Sequence, residues 1–568
     1  MQLILKCLNS FIAFLLLLSS IAEMSATESK PLETTKRFNL LFLMTDEHQA
    51  AVMGVDGNPI VKTPNLDKLA ADGIYFSAAY TPCPICVPAR ASILTGRSIG
   101  GTGIRRNTDQ FLSVTGTPLL NQKTYDEVLN VNGYWSAYHG KWHIPVYRAG
   151  LTKTTDTSFY HNFGYAIHKD DGSFRIRHLE YEKLLEIIHQ NEPIDVSQLQ
   201  NGLQYLNFFR RPYEPVTTDF NYGQPSPKEI ENNPVDKNGK PISQAATIGK
   251  LILDSKYSLT SFQRDLVLNA LQETEKVRKH EDKNFNVTAS FIFPHPPMVV
   301  TEPYFSLYRD KNNKPIKELD TLIPESIDDR SKESPYNLST DNAVAYFHDK
   351  TKITDVMSVY YALVTEIDDS IGKIIQKLKD IGEYDNTLIV YCSDHGEMLG
   401  AHGLCGKFVF YEESIRVPLI LKLPGGSHKG LKIDRPVNLT DLFATILDYT
   451  ISDTVTPSEG KTLRAIIENP KTTQRKDYTV IEWGHENIPS YCVVTKDWKF
   501  MVAKSDKAKN ALYDRKKDPN ELVNLLASPP LEREKYNNIV SKMKSKLLEY
   551  MEEINHADKE VVQQKKFF

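Results

Sequence analysis

The chain has 568 residues, 40% hydrophobic and 25% charged, with a formal net charge of −4. That balance is globular and excludes a disordered chain, and the near-neutral charge argues against a nucleic-acid binder. A chain this long buries roughly three quarters of its unfolded surface and splits into more than one domain.

The first 26 residues, MQLILKCLNSFIAFLLLLSSIAEMSA, carry a positive Lys6, an apolar run from Phe11 to Leu18, and small residues from Ser19 to Ala26. This order reads as a secretory signal peptide. The apolar run is shorter than the ~20 residues a membrane helix needs. The expectation is an exported protein, periplasmic or secreted, with no membrane span in the mature chain. Six cysteines are present, at 7, 83, 86, 392, 405 and 492. Cys7 leaves with the signal, so an odd number remains and at least one is unpaired.

Phe38 to Thr45 is a continuous apolar run ending abruptly in Asp46-Glu47-His48, the pattern of a buried parallel strand. Thr63-Pro64 starts a helix to about Ala71, and Gly73 stops it. Ile74 to Tyr80 reads as one strand. Cys86 to Arg97 follows, with Cys86 placed at or just before a helix N-terminus. Thr124 caps a further helix, and Tyr134 to His139 forms a strand that opens into Gly140-Lys141-Trp142-His143.

Residues 144–280 are less regular and read as long insertions with some helix. Ala289 to Phe293 is a strand ending in Pro294-His295-Pro296-Pro297. Val356, Tyr360, Leu363, Val364, Ile367, Ile371, Ile374, Ile375 and Leu378 share one face of a long helix. Asn386 to Cys392 is a strand ending in Ser393-Asp394-His395-Gly396, Val417 to Leu423 another, and Thr440 to Tyr449 a helix. Beyond about 455 the pattern becomes antiparallel, at Tyr478–Trp483 and Tyr491–Lys504. Leu512-Tyr513-Asp514 and Asp518-Pro519-Asn520-Glu521 read as a turn, and a charged helix starts near Leu531.

Strands alternating with helices predict an α/β fold: a large, mostly parallel sheet flanked by helices, with a smaller C-terminal α+β domain. The domain boundaries expected are a signal at 1–26, a main domain at 37–455 with insertions around 144–280, and a C-terminal domain at 456–568. The unusual polar residues all follow strand C-terminal ends, where open α/β sheets bind ligands.

Asp46, Asp394 and His395 end two separate strands. Two buried carboxylates on neighbouring strand ends repel unless a cation lies between them. Oxygen donors suit Ca²⁺ or Mg²⁺, and the imidazole leaves the metal's identity partly open. Taken singly, each Asp also reads as a loop cap. A helix N-terminus attracts anions and lowers a thiol pKa, which would activate Cys86; the bland alternative is a small core residue. Arg90, one turn on, points back to the same spot. Lys141 and His143 leave one face of an extended segment. With His295 and Lys407 they line the same sheet edge, making a pocket for a tetrahedral oxyanion.

Cys86-Val87-Pro88-Ala89-Arg90 followed by Leu94-Thr95-Gly96-Arg97 resembles the signature of the formylglycine-dependent (type I) sulfatases, in the alkaline phosphatase superfamily. The resemblance extends to Asn39–Asp46, Gly140–His143, Phe293–Pro297, Ser393–Gly396 and the C-terminal LYDRKKDPNELVNL, in the family's order. It implies an alkaline phosphatase-like fold and conversion of Cys86 to formylglycine (3-oxoalanine) by a maturation enzyme. One hydroxyl of the hydrated aldehyde would attack sulfur, and the second would expel sulfate. By the same resemblance Asp46, Asp394, His395 and residue 86 hold the metal, usually Ca²⁺, with Mg²⁺ the alternative. Arg90 would hold the diol and metal shell. Lys141 and His143 would contact nucleophile and sulfate, and His295 and Lys407 would bind sulfate and assist the departing oxygen. Glu47 stands where many relatives have Asp, and His395 where many have Asn.

The expected function is hydrolysis of sulfate esters of a sulfated glycan, a polysaccharide (ulvan-type) or its oligosaccharides. Tyr205, Phe208, Phe209 and Tyr213 are aromatic candidates for stacking on sugar faces. His402 is open between a substrate contact and loop packing. The rival readings are a phosphonate monoester or phosphodiester hydrolase of the same superfamily, and a non-catalytic glycan-binding relative.

Overall fold

The computed structural model describes residues 36–107, 122–144, 245–251, 254–296, 298–328, 345–346, 350–483, 490–504 and 508–565, together with short strands at 165–168, 174–177, 213–215 and 221–223. Residues 1–26, read above as a signal peptide, and the aromatic residues Tyr205, Phe208 and Phe209 lie outside the described residues, as does the side chain of Tyr213.

A seven-stranded sheet forms the centre. Its strands are β1 (Asn39–Asp46), β2 (Ile74–Phe76), β3 (Trp135–Gly140), β4 (Phe285–Pro294), β5 (Thr387–Ser393), β6 (Leu419–Lys422) and β7 (Leu431–Ile433). The spatial order is β7-β2-β6-β5-β1-β4-β3. β1 pairs in parallel with β4 and β5, β4 with β3, and β2 with β7. β6 runs antiparallel to both its neighbours. The sheet is therefore mostly parallel, with one reversed strand.

Alternation along the strands decides which layer each side chain feeds, because successive residues point to opposite faces. On β1, Leu41 and Leu43 join one core, while Leu40, Phe42 and Met44 join the other. On β5, Ile389 and Tyr391 face the first layer, and Leu388, Val390 and Cys392 the second. Both faces are covered, which is why these strands read as unbroken apolar runs. α1 (Pro64–Ala71), α4 (Leu259–Glu281) and α5 (Lys350–Asp380) pack on the first face. α2 (Cys86–Thr95), α3 (Tyr125–Val131) and α6 (Asp441–Ile451) pack on the second. Each fully buried Leu or Ile contributes about 1.5–3 kcal/mol relative to exposure.

The run Ile74–Tyr80 is not one strand. Ile74–Phe76 belongs to the central sheet, while Ala79–Tyr80 leaves it to pair with Val437–Asn438. The C-terminal sheet is an antiparallel meander of β8 (Tyr478–Glu482), β9 (Tyr491–Thr495), β10 (Trp498–Val502) and β11 (Ala511–Asp514). Leu512–Asp514 is thus an edge strand, not part of a turn. Phe500, Val502 and Val493 face α7 (Asn537–Glu553). Cys492, Val494, Met501 and Tyr513 face the segment holding Phe410 and Tyr411. Cys83, Cys86, Cys392, Cys405 and Cys492 are all buried free thiols. No helix among the described residues is long and apolar enough to cross a membrane.

Candidate active site

Strand register builds the site. β1 and β5 pair in parallel with Thr45 opposite Ser393, so the next residues, Asp46 and Asp394, leave the sheet side by side. The Glu47 amide donates to Asp394 Oδ1 at 3.2 Å, tying the two strand ends together. Both aspartates are fully buried.

Arg90 lies across them. Its Nε donates to Asp394 Oδ2 at 2.7 Å, and Nη2 to Asp46 Oδ2 at 3.2 Å. Nη1 donates to the Lys141 carbonyl at 2.7 Å and to Ser290 Oγ at 2.8 Å. One planar fork thus ties the loops after β1, β3 and β5 and the β4 side chain Ser290, a task a lysine ammonium cannot do. The side chain is wholly buried, so its charge is compensated by the two carboxylates.

Cys86 is the first residue of α2. Its Sγ lies 3.1 Å from His395 Nε2 and 3.9 Å from Asp46 Oδ1. The sequence expectation of a lowered thiol pKa fails here. Burial, then the Asp46 carboxylate, push the Cys86 thiol up to about 11 and outweigh the cations nearby. An unmodified Cys86 is therefore a protonated, weak nucleophile at neutral pH.

The residues predicted to hold a cation converge. Asp46, Cys86, Asp394 and His395 each offer one ligand atom, all within 4.8 Å of one another. His395 Nε2 is 3.7 Å from Asp46 Oδ1 and 3.6 Å from Asp394 Oδ1. A cation about 2.3–2.6 Å from each donor requires neighbouring donors at roughly this separation, so the set fits a divalent ion. His395 Nδ1 is 3.0 Å from the Gly396 carbonyl. A carbonyl only accepts, so Nδ1 carries the proton and Nε2 presents its lone pair inward. Burial lowers the His395 pKa, which keeps the ring neutral as a ligand must be.

The cationic rim also assembles. Lys141 Nζ contacts Asp46 Oδ2. Burial opposes the charge on Asp46, but Lys141, His295 and Arg90 outweigh it and hold the carboxyl well below its usual range. Lys141 follows Gly140, whose φ is +100°. A Cβ there would stand 1.9 Å from the Ser290 carbonyl oxygen, so only glycine lets β3 end this close to β4. His143 does not lie in the extended segment expected, because its φ is +55°. Its Nδ1 is buried without a hydrogen-bond partner, the mark of a polar group with a role beyond packing. Burial, then Lys141 and Arg90, hold the His143 pKa well below 6.5.

His295 Nδ1 is 2.6 Å from the Pro296 carbonyl, and Nε2 is 3.5 Å from Glu47 Oε2. Lys407 Nζ is 2.9 Å from the same oxygen. Glu47, left out of the sequence-derived set, is thus a member of the site, turned inward by a φ of +71°. Its adjacency to Asp46 was the available signal. Ser290 and Glu397 were also missed; Glu397 accepts from the amides of Leu399 at 3.2 Å and Gly406 at 2.5 Å and closes the loop before Lys407. His402 stacks on Tyr411 with ring centroids 3.6 Å apart, the loop-packing alternative.

The sheet edge thus brings four groups that could hold a divalent ion, Cys86 among them at a helix N-terminus, beside Arg90, Lys141 and Lys407, an arrangement able to bind and hydrolyse an ester of a tetrahedral oxyanion. The sulfatase family model matches residues 38–452, and the chain belongs to that family. It is a sulfuric ester hydrolase. A second model, the C-terminal region of N-sulphoglucosamine sulphohydrolase, matches residues 400–553. The chain is 27% identical to an arylsulfatase of Clostridium perfringens, over 90% of this chain and 94% of that one. It is 26% identical to an ulvan-active sulfatase of Formosa agariphila, over 92% and 83% of the two chains. Among solved structures, the phosphonate monoester hydrolase of Agrobacterium radiobacter superposes with a TM-score of 0.63 at 20% identity, covering 91% of this chain and 96% of that one.

Proposed function

We propose that the protein is an exported sulfatase that removes sulfate from esters of a carbohydrate, a polysaccharide or its oligosaccharides, with Cys86 converted to formylglycine by a maturation enzyme. The observation that carries this reading is the position of Cys86 Sγ, 3.1 Å from His395 Nε2 at the start of α2 and inside the donor set with Asp46 and Asp394. A thiol held near pKa 11 gives little nucleophile by itself, whereas a hydrated aldehyde at that position supplies one hydroxyl to attack and a second to release sulfate.

Asp46, Asp394, His395 and residue 86 would hold the divalent cation, Ca²⁺ or Mg²⁺, which supplies charge neutralisation for a bound sulfate oxygen. The remaining groups act directly. Arg90 holds both aspartates with one guanidinium. Lys141 and Lys407 present ammonium groups to the sulfate oxygens and to the departing oxygen. Burial opposes the charge on Lys407, but the Glu47 and Asp46 carboxylates outweigh it and keep the ammonium protonated. Neutral His143 accepts the proton of the residue-86 hydroxyl as sulfate is expelled. His295, its Nδ1 proton held by the Pro296 carbonyl, orients Nε2 beside Lys407.

A carbohydrate substrate is supported by the names of two matches, the ulvan-active sulfatase and the sulphoglucosamine sulphohydrolase C-terminal model. Export is supported by the composition of residues 1–26. The test is kcat/KM on an aryl sulfate and on the matching aryl phosphonate monoester, followed by desulfation of defined sulfated oligosaccharides. Preference for the sulfate and release from a sugar are expected; dominant phosphonate hydrolysis would overturn the reading.

A further inference from the structure

We propose that Lys499, on β10 of the C-terminal sheet, is a positioning residue for the active site, acting through the segment that carries Lys407. The inference rests on the reading of Lys407 as an anion-binding group.

The segment from Gly406 to Glu412 is tied down from outside the central sheet. Lys499 is completely buried, and its Nζ donates to the Phe410 carbonyl at 3.1 Å. The same ammonium lies 2.8 Å from Glu412 Oε1 and 2.5 Å from Glu521 Oε1. Glu521 Oε2 in turn accepts from the Glu412 amide at 3.0 Å. Two C-terminal side chains therefore hold the Phe410 carbonyl and the Glu412 amide and carboxylate, all within the segment that carries Lys407. Arg515 adds a third, 3.1 Å from Glu412 Oε2.

This segment needs holding. Phe408 has a φ of +77°, a conformation that costs a non-glycine residue free energy and persists only where its surroundings enforce it. On one side the Phe408 amide donates to the Pro84 carbonyl at 3.2 Å, linking the segment to the loop before Cys86. On the other side the Phe408 ring lies against Trp483, just after β8, with centroids 5.6 Å apart. Lys407 immediately precedes this strained residue, and its ammonium donates to Glu47 Oε2 at 2.9 Å. A charge buried at Lys499 without a role in placement would be a poor use of a site that apolar residues could fill, since a buried pair is weak evidence for stability alone. Its hydrogen bond to the Phe410 carbonyl and its ion pairs with Glu412 and Glu521 hold backbone as well as side chain, as a positioning role requires.

The test is a double-mutant cycle on the full chain, matured with its formylglycine, with kcat/KM on an aryl sulfate and a melting curve for every variant. Lys407→Ala is expected to lower kcat/KM by roughly 10²–10³-fold, the cost of one electrostatic donor. Lys499→Met is expected to lower it by roughly tenfold or more. The double variant should be no worse than Lys407→Ala to within about threefold, because groups acting through one another are not additive. If Lys499→Met does not fold, Glu521→Gln takes its place, with a smaller loss and the same non-additivity. Wild-type activity in the Lys499 or Glu521 variant, or losses that multiply with Lys407→Ala, overturns the proposal while leaving the reading of Lys407 intact. Full activity in Lys407→Ala alone overturns that reading first, and the positioning role with it.

Discussion

Arg90 carries more of the site's geometry than any other single side chain. Four of its hydrogen bonds reach Asp46, Asp394, the Lys141 carbonyl and Ser290, so one substitution tests how far the metal ligands depend on it. Arg90→Lys keeps the charge but loses the planar fork. It should destabilise the protein by about 2–4 kcal/mol, since breaking a buried pair outright costs about 3–5 kcal/mol. It should also weaken binding of the proposed divalent cation, tested by calorimetry with added Ca²⁺, because the two aspartates lose their common partner. An unchanged affinity would mean the aspartates are held by the strand ends alone. At this scale the sequence was informative where chemistry is written in residue type. Asp46, Cys86, Arg90, Lys141, His143, Asp394, His395, His295 and Lys407 do meet around one point. The Cys86 pKa was misjudged, because a helix N-terminus is visible in sequence and the degree of burial is not.

Elements place these residues, and their terminations matter more than their interiors. β1, β4 and β5 were legible as apolar runs because both sheet faces are covered. The reversal of β6 was not legible, because an apolar strand in the middle of a sheet looks the same in either direction. The split of Ile74–Tyr80 was hidden as well, since the chain changes sheets at Ser77 and Ala78, whose backbones bond to Ile433 and Val437, and nothing in the residue types marks the change. The end of β3 gives the sharpest element-level test. Gly140→Ala forces a φ of +100° on a residue with a side chain and sets a Cβ 1.9 Å from the Ser290 oxygen. Strain and overpacking together should cost about 2–5 kcal/mol. The melting temperature should fall and kcat should fall with it, because Lys141 and His143 move with the strand end. A variant as stable as the wild type would contradict the close approach of β3 to β4.

Across the whole molecule, the C-terminal sheet joins the central domain through a buried ionic network as well as an apolar face. Burial works against the charge on Glu412, but Arg515, Lys499 and Arg416 overcome it and hold the carboxyl down at about 2. The sign of the linkage follows. A carboxyl depressed in the folded state contributes stability that is fully present above its unfolded value of about 4.5 and lost as pH falls toward 2. The wild-type melting temperature should therefore drop steeply over that window. Glu412→Gln should melt lower at pH 7 and show a shallower drop on acidification; parallel curves would place the acid sensitivity elsewhere. This network was not legible in sequence: Arg515 and Glu521 lie in the C-terminal LYDRKKDPNELVNL stretch, but nothing in that stretch shows that they meet Lys499 and Glu412. The central claim, that residue 86 acts as an aldehyde within the donor set of Asp46, Asp394 and His395, is tested most directly by the mass of the proteolytic peptide containing residue 86, taken from protein produced beside a competent maturation enzyme. The account predicts the mass of formylglycine in proportion to the active fraction, and an active preparation whose peptide retains an unmodified cysteine would contradict it.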